Sequence, residues 1–225
     1  MRAQFRQFFA ILAKDARIEF RTRDILFTMA IFSTLLVLVF AFAFLSDPSR
    51  TRDYGPGIVW ATLLFSATVG QNRLFDRERE NSCLWAMLLA PVRPGVVFAA
   101  KATGHFVFTA VVETLTVILV VVFFDLEVLD IGAFVAALTL GAAGMSLVGT
   151  LFSAMLMNAR MKEVLLPLVT FPVLTPVVIA GVKATALAVG AQEEPANWIE
   201  FLLGFDLVYG AVTILLFGPM VRGAR

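Results

Sequence analysis

The chain has one cysteine and one histidine among its 225 residues, Cys83 and His105. A single cysteine excludes an intrachain disulfide, a C-x-x-C-H haem attachment and a metal site built from several thiolates. A single histidine excludes a histidine pair for metal or haem within one chain. Lysine nowhere follows glycine, so the phosphate-binding motif G-x-x-x-x-G-K-[ST] is missing. With neither H-E-x-x-H nor G-x-S-x-G, the sequence predicts a protein that is not an enzyme and has no metal or directly bound cofactor.

Charged residues are also scarce, at 16% of the chain, whereas 60% of the residues are hydrophobic. Soluble domains have roughly 25% charged residues, and their surfaces cannot hide so many apolar side chains. The composition therefore predicts an integral membrane protein. The net charge of +1 indicates no nucleic-acid partner.

The apolar residues are sufficient for about six membrane spans, since each span needs about 20 of them. The predicted spans are 25–45, 55–72, 96–124, 131–157, 164–190 and 201–221. They predict an all-α fold with a single membrane domain over residues 1–225. Small residues in the fourth span predict tight helix packing, with a dimer contact as the alternative. Three prolines in the fifth span, Pro167, Pro172 and Pro176, predict a kink or a break.

Basic residues predict the orientation in the membrane. Fifteen of the 18 lysine and arginine residues lie within 1–24, 73–101, 158–163 and 222–225. The other three are Arg50, Arg52 and Lys183, which fall on the opposite side. Because loops rich in lysine and arginine stay inside, both termini are predicted to be cytoplasmic.

Residues 1–24 predict an amphipathic helix. One face has Phe5, Phe9, Leu12, Ala16 and Phe20, and the other has Arg6, Lys14, Arg17 and Arg21. Such a helix is expected to lie in the membrane interface with its cations among the lipid headgroups. The alternative is a basic anchor that only sets the topology.

The cytoplasmic loop 73–95 has an unusual pattern. Charges alternate in sign over 76–80, and a short apolar run over 84–89 ends before two prolines. This pattern is typical of a docking element, in which charges give specificity and apolar side chains give affinity. A solvated turn with a helix resting on the headgroups is the alternative.

Several polar residues fall inside the predicted spans. Lys101, His105, Thr109 and Glu113 recur every four residues and therefore share one broad side of the third span. Lys101 is expected to snorkel to the cytoplasmic surface. Glu113 lies too deep for that, and a charge in hydrocarbon is costly. We therefore expect it to face the protein interior, a water-filled cleft or a partner. It is either a substrate-pathway or switch residue, or part of an interhelical hydrogen bond.

The other two intramembrane candidates are His105 and Asp206. A lone histidine in a span is usually a packing residue, although axial haem ligation is the alternative. For Asp206, near the outer end of the sixth span, a structural role is favoured over a chemical one.

The segments that suggest a family are KDARIEFRTRD (14–24), PGIVWATLLFSATVGQNRLFDRERENSCLWAMLLAPV (56–92), VGTLFSAMLMNARMKEVLLPLVTFPVLTPVVIAGVKAT (148–185) and FDLVYGAVTILLF (205–217). With them the chain resembles the CcmB family of haem-exporter ABC permeases, which serve cytochrome c maturation. The resemblance covers nearly the whole chain. It departs from the family pattern at Ser82 and at Trp85-Ala86.

The resemblance implies an ABC exporter-type permease in the bacterial inner membrane, driven by a separate cytoplasmic ATPase. That subunit would account for the missing phosphate-binding motif. Loop 73–95 becomes the coupling loop, matching the family's F-x-x-E-R-E stretch. Its implied ATPase-binding residues are Phe75, Asp76, Arg77, Glu78, Arg79 and Glu80.

The resemblance also implies partners and a cargo. The family works with a haem-handling sister permease, to which the haem ligands belong, and with a small accessory membrane protein. A second copy of the chain is expected as well. ATP hydrolysis is linked to haem export or to release of haem-loaded chaperone, so haem is a cargo of the complex. The alternatives are an ABC permease for a lipid, drug or polysaccharide, an ion-coupled secondary transporter using Glu113 and Asp206, and a scaffold for other maturation proteins.

Overall fold

The computed structural model describes residues 2–44, 51–76, 93–191 and 197–223. Within those ranges the chain is helical and has no strand, which confirms the predicted all-α fold. The seven helices are α1 (Arg2–Thr22), α2 (Asp24–Phe44), α3 (Thr51–Arg73), α4 (Pro94–Phe124), α5 (Ile131–Met155), α6 (Lys162–Ala188) and α7 (Trp198–Gly223). Most of the predicted coupling loop, with Arg77, Glu78, Arg79 and Glu80, lies outside the described residues.

Five of these helices are long and apolar enough to cross a membrane: α2, α4, α5, α6 and residues Trp198–Phe217 of α7. The chain is therefore a multi-pass membrane protein. The remaining predicted span, 55–72, corresponds to α3. This helix has 23 residues but is less apolar, with Asp53 near its start and Gln71, Asn72 and Arg73 at its end.

Helix α3 is the centre of the bundle, because α2, α4, α5 and α6 all pack against it. Ile58, Val59, Trp60, Leu63 and Ala67 belong to the main hydrophobic core. The other long helices each expose large apolar side chains, as expected of surfaces that face lipid. A helix surrounded by other helices needs little lipid-compatible surface, which explains the lower apolarity of α3.

Small residues allow α3 to approach its neighbours closely. The Trp60 ring lies over Gly141 of α5 and Gly181 of α6, and a Cβ at either glycine would overlap the indole. Trp60 Nε1 donates to Thr185 Oγ1 at 3.1 Å. The Gln71 amide covers Gly149 of α5 in the same way. The prediction that the small residues of α5 pack tightly is therefore confirmed. Gly141 and Gly149 of α5 both make contacts within one chain.

Helix α6 continues from Lys162 to Ala188 through all three prolines. A break at these prolines, one of the two predicted outcomes, is therefore wrong. Each proline removes one backbone donor, but the flanking helices α3 and α5 hold the segment in place. Neighbouring helices commonly make prolines tolerable in membrane spans.

Contacts made by the segments that connect the helices define the two ends of the bundle. Leu126, after α4, packs on Gly55 near the start of α3. The N–H groups of Leu129 and Asp130 donate to the Ala188 carbonyl at 2.9 and 3.0 Å. The start of α3 and the ends of α4 and α6 therefore meet at one end. The opposite end, formed by residues 73–76, 93–101 and 156–162, is called the basic end below.

Helix α1 confirms the prediction of a helix within 1–24. It ends at Thr22, and Arg23 takes a left-handed backbone conformation (φ +56°) before α2 begins. The structure shows three distinct faces on α1, whereas the sequence predicted only two. One face packs on α4 through Ile11 and Phe8. A second exposes Phe5, Phe9 and Phe20, by 67%, 58% and 77%. The third consists of the exposed cations Arg6, Lys14, Arg17 and Arg21.

Candidate functional site

The polar residues predicted to share one side of the third span do so. Lys101, His105, Thr109 and Glu113 of α4 are only 4%, 0%, 1% and 5% exposed. All four therefore point into the bundle. Their surroundings differ, however, along the helix.

His105 is enclosed between α4 and α3. Its Nε2 lies 3.3 Å from the Ala67 carbonyl oxygen, and its Nδ1 lies 3.5 Å from Thr109 Oγ1. A Cβ on Gly70 of α3 would come within 3.4 Å of Nε2. Both ring nitrogens thus face groups of the chain itself, which favours the packing interpretation. Among the described residues there is no group of three histidine, cysteine or acidic side chains that could hold a metal ion.

Glu113 and Asp206 each keep one carboxyl oxygen without a hydrogen-bond partner in the described part of the chain, Oε1 and Oδ2 respectively. Glu113 lies on α4, two turns beyond His105. Asp206 lies on α7 against Gly144 of α5, where a Cβ would come within 2.7 Å of Oδ1. Buried oxygens without a partner are costly. The two carboxyl groups therefore remain the candidates for chemistry inside the membrane.

At the basic end, Lys101 does not snorkel, so that expectation is wrong. Its ammonium is buried 2.9 Å from Asp15 Oδ2 on α1. It also lies 3.4 Å from the Leu74 carbonyl oxygen and 5.5 Å from the centre of the Phe75 ring. The physical reason is that α1 supplies a carboxylate on its packed face. The ammonium is therefore neutralised inside the protein and need not reach water.

A second buried lysine, like Lys101, binds the C-terminal end of α3. Lys162, the first residue of α6, pairs with Asp76 Oδ1 at 2.7 Å and donates to the Asn72 carbonyl oxygen. Terminal carbonyls of a helix lack internal partners and form the negative end of its dipole. Lys101 and Lys162 thus cap α3 from two other helices. We call these two lysines, with Asp15 and Asp76, the lysine clamp.

Two further side chains fix the last turns of α3. Gln71 Nε2 donates to the Met145 carbonyl of α5 at 3.1 Å, and Ser153 Oγ donates to the Gln71 carbonyl. Of the residues implied for ATPase binding, the structure describes Phe75, which is fully buried, and Asp76, whose side chain is 35% exposed. Phe75 lies beside the lysine clamp, and Asp76 belongs to it.

Sequence reasoning missed Asp15, Glu19 and Lys162. Glu19 is buried, and its Oε1 accepts hydrogen bonds from the N–H groups of Ile25 and Leu26, each at 2.8 Å. It thereby caps α2 across the turn at Arg23. One signal was available for Lys162, because a cation at a helix N-terminus is unfavourable for that helix and indicates a partner elsewhere.

An open polar cavity of about 830 Å³ borders the clamp at the basic end. Its walls include Asn72, Arg73 and Asp76 from the end of α3, and Arg160, Lys162 and Glu163 from the start of α6. The mixture of both charge signs suits recognition of a polar protein surface.

The chain is similar to known proteins over almost all of its length. The model of the CcmB protein family matches residues 6–222. A protein named heme exporter protein B from Pseudomonas aeruginosa is 25% identical over 204 residues, which cover 89% of this chain and 91% of that protein. The protein of the same name from Haemophilus influenzae is 27% identical over 207 residues and 92% of each chain. In Bradyrhizobium diazoefficiens the identity is 24% over 216 residues, 96% of this chain and 95% of the relative.

Proposed function

The chain belongs to the CcmB protein family, and on this premise we propose that it is the membrane permease subunit of an ABC transporter complex for cytochrome c maturation. In this proposal a separate cytoplasmic subunit hydrolyses ATP, and the chain itself is not an enzyme. Hydrolysis drives haem export or the release of haem-loaded chaperone. The observation that carries the proposal is the match, over about nine-tenths of the chain, to several relatives named heme exporter protein B.

We further propose six spans, with α3 as the second, in a bacterial inner membrane. Helix α3 returns the chain from the end of α2 to the start of α4, which lie at opposite ends of the bundle. Its 23 residues correspond to about 35 Å, enough for a hydrocarbon core of about 30 Å. The concentration of basic residues at one end supports a cytoplasmic location for that end and for both termini.

The coupling role is assigned to loop 73–95, with Phe75, Asp76, Arg77, Glu78, Arg79 and Glu80 as the ATPase-binding residues. The lysine clamp supports this assignment, because it joins Asp76 and the last carbonyls of α3 to α1, α4 and α6. A displacement of the loop therefore pulls on three helices at once. The two ammonium groups of the clamp are buried, so these contacts are shielded from water on the lysine side.

The remaining partners in this proposal are a haem-handling sister permease, a small accessory membrane protein and a second copy of the chain. Haem is the cargo of the complex. The enclosure of His105 between α3 and α4 supports assigning the haem ligands to the sister permease.

The proposal is tested by purifying the tagged chain together with its genomic neighbours and by measuring c-type cytochromes in a deletion strain. We expect an ATPase and a haem-binding protein to copurify, and c-type cytochromes to be lost on deletion. Charge reversal by Glu78→Lys and Glu80→Lys should abolish both ATPase binding and cytochrome assembly. Glu200→Lys, an equal change on an exposed residue of α7, serves as the control. If ATPase binding and cytochrome assembly both survive the reversal, loop 73–95 is not the coupling element.

The oxygens of Glu113 and Asp206 that lack partners favour one other function, an ion-coupled secondary transporter. The two functions differ in their need for ATP hydrolysis. Cytochrome assembly that persists when the ATPase gene is deleted would establish the second function. Loss of assembly in that strain would exclude it.

A further inference from the structure

An open apolar groove of about 320 Å³ lies between α1 and the first turns of α4. Phe5 and Phe8 form one wall, and Gly95, Val96 and Ala99 form the other. Among the described residues, no atom beyond the helix's own neighbouring backbone lies within 4 Å of the position that a Cβ on Gly95 would take. The volume falls at the lower end of the range of small-molecule sites.

The rim of this groove is cationic. Arg93 precedes α4 directly and is exposed. With the Gln4 amide oxygen turned toward it, Arg93 donates to that oxygen from Nε at 2.9 Å and from Nη1 at 3.0 Å. The groove therefore has apolar walls and one guanidinium group, that of Arg93, beside its mouth.

The length of α4 places the groove at the level of the lipid headgroups. Its 31 residues measure about 46 Å, which exceeds a hydrocarbon core of about 30 Å by roughly 16 Å. The other end of α4 is the uncharged run Thr114–Phe124, whereas the first turns lie beside Arg93 and Lys101. The first turns are therefore the part that projects from the hydrocarbon.

We propose that this groove binds one anionic phospholipid. The phosphate lies at Arg93, and the upper part of one acyl chain lies between Phe5 and Val96 before it enters the bilayer. Cations at headgroup level attract anionic lipids, and apolar walls select a hydrocarbon chain over a polar ligand. Arg93 and Gly95 lie at the very end of loop 73–95, beyond the proposed ATPase-binding residues 75–80, and the proposal does not depend on the proposed function.

The test is native mass spectrometry of the purified full chain, titrated in detergent with phosphatidylglycerol or with phosphatidylethanolamine. We expect one tightly bound phosphatidylglycerol and about fivefold weaker binding of the zwitterionic lipid, the effect of about one cationic contact. Gly95→Leu fills the groove and should weaken phosphatidylglycerol binding about tenfold or more, as expected when buried methylenes are displaced. Gly204→Leu, on a glycine of α7 with equally open space, is the matched control and should bind like the unaltered chain.

Two results would overturn the proposal. One is unchanged phosphatidylglycerol binding by Gly95→Leu, and the other is equal binding of the two lipids by the unaltered chain. Loss of a copurifying protein from Gly95→Leu, with lipid binding intact, would show that a protein partner occupies the groove. Should Gly95→Leu fail to fold, Arg93→Gln gives an independent test. It should remove the preference for the anionic lipid and keep binding of the acyl chain.

Discussion

Helices α3 and α7 use apolar residues for different purposes. Helix α3 is surrounded by four others, contains the buried polar residues Thr62, Ser66 and Gln71, and is less apolar than the spans around it. Helix α7 lies at the edge and exposes Leu207, Ile214 and Leu215. In a membrane protein, apolarity therefore marks contact with lipid, while burial depends on small residues and internal hydrogen bonds.

The largest expected effect tests the close packing of α3. Gly141→Ala places a Cβ inside the Trp60 ring, and the overpacking should lower the free energy of unfolding by at least about 3 kcal/mol. The matched change on α7, Gly204→Ala, meets no atom within 4 Å and should be neutral or slightly stabilising. Thermal unfolding in detergent measures both. Equal stability of the two variants would contradict the difference between the central and the peripheral helix.

The next effect concerns the lysine clamp. Lys101→Met leaves Asp15 with only the more exposed Lys14, 3.0 Å away, as its ionic partner, and should cost about 2–3 kcal/mol, no more than the low end of values for broken buried pairs. Adding Asp15→Asn should recover part of this loss, since the carboxylate that lost its buried partner is then neutral. Lys183→Met, an exposed lysine on α6, is the control and should be silent. If the double variant is no more stable than Lys101→Met alone, the pair does not hold the basic end together.

A smaller difference in stability is expected between variants of Trp60 in α3 and of Trp198 in α7. Trp60→Phe removes the hydrogen bond to Thr185 and part of a buried ring, which should cost about 1–2 kcal/mol. Trp198 of α7 has no hydrogen-bond partner for Nε1 among the described residues, so Trp198→Phe should cost less. Fluorescence-detected unfolding compares the two. A greater loss from Trp198→Phe would reverse the comparison.

The smallest effect is expected at Asp206. Because Oδ2 has no hydrogen-bond partner in the part of the chain that the structure describes and Oδ1 lies against Gly144, Asp206→Asn keeps the shape and should change stability by less than about 1 kcal/mol. Cytochrome assembly should persist if the residue is structural. Its loss in a variant of normal stability would assign Asp206 a chemical role.

The positions of the helices could be predicted from the sequence because uncharged runs of about 20 residues have few other uses. The inward side of α4 was also predictable, since Lys101, His105, Thr109 and Glu113 recur at helical spacing. The helix that includes residues 55–72 was also predicted, even though its apolar pattern is weaker. What the sequence could not reveal was that this helix is central, because its low apolarity alone is equally typical of a helix at the surface.

The lysine clamp could not be predicted for a different reason. Lys162 and Asp76 are 86 residues apart, and Lys101 and Asp15 lie on helices that only the tertiary fold brings together. Positive charges near the cytoplasmic side have an ordinary explanation in the topology rule, and the one further signal, a cation at the start of α6, does not identify Asp76 as its partner. The third face of α1 was missed because Phe8 and Ile11 fall between the two faces that the periodicity outlined.

The pairing of Trp60 with Thr185 has a consequence for biosynthesis. The partner lies 125 residues further along the chain, which at about 5–20 residues per second is made roughly 6–25 s later. The least apolar of the six proposed spans thus emerges from the ribosome well before the glycines and the threonine that receive its indole ring. During that interval α2, α4 and then α5 are the neighbours that can shelter it, and Trp60 gains its last contacts only when α6 has been inserted.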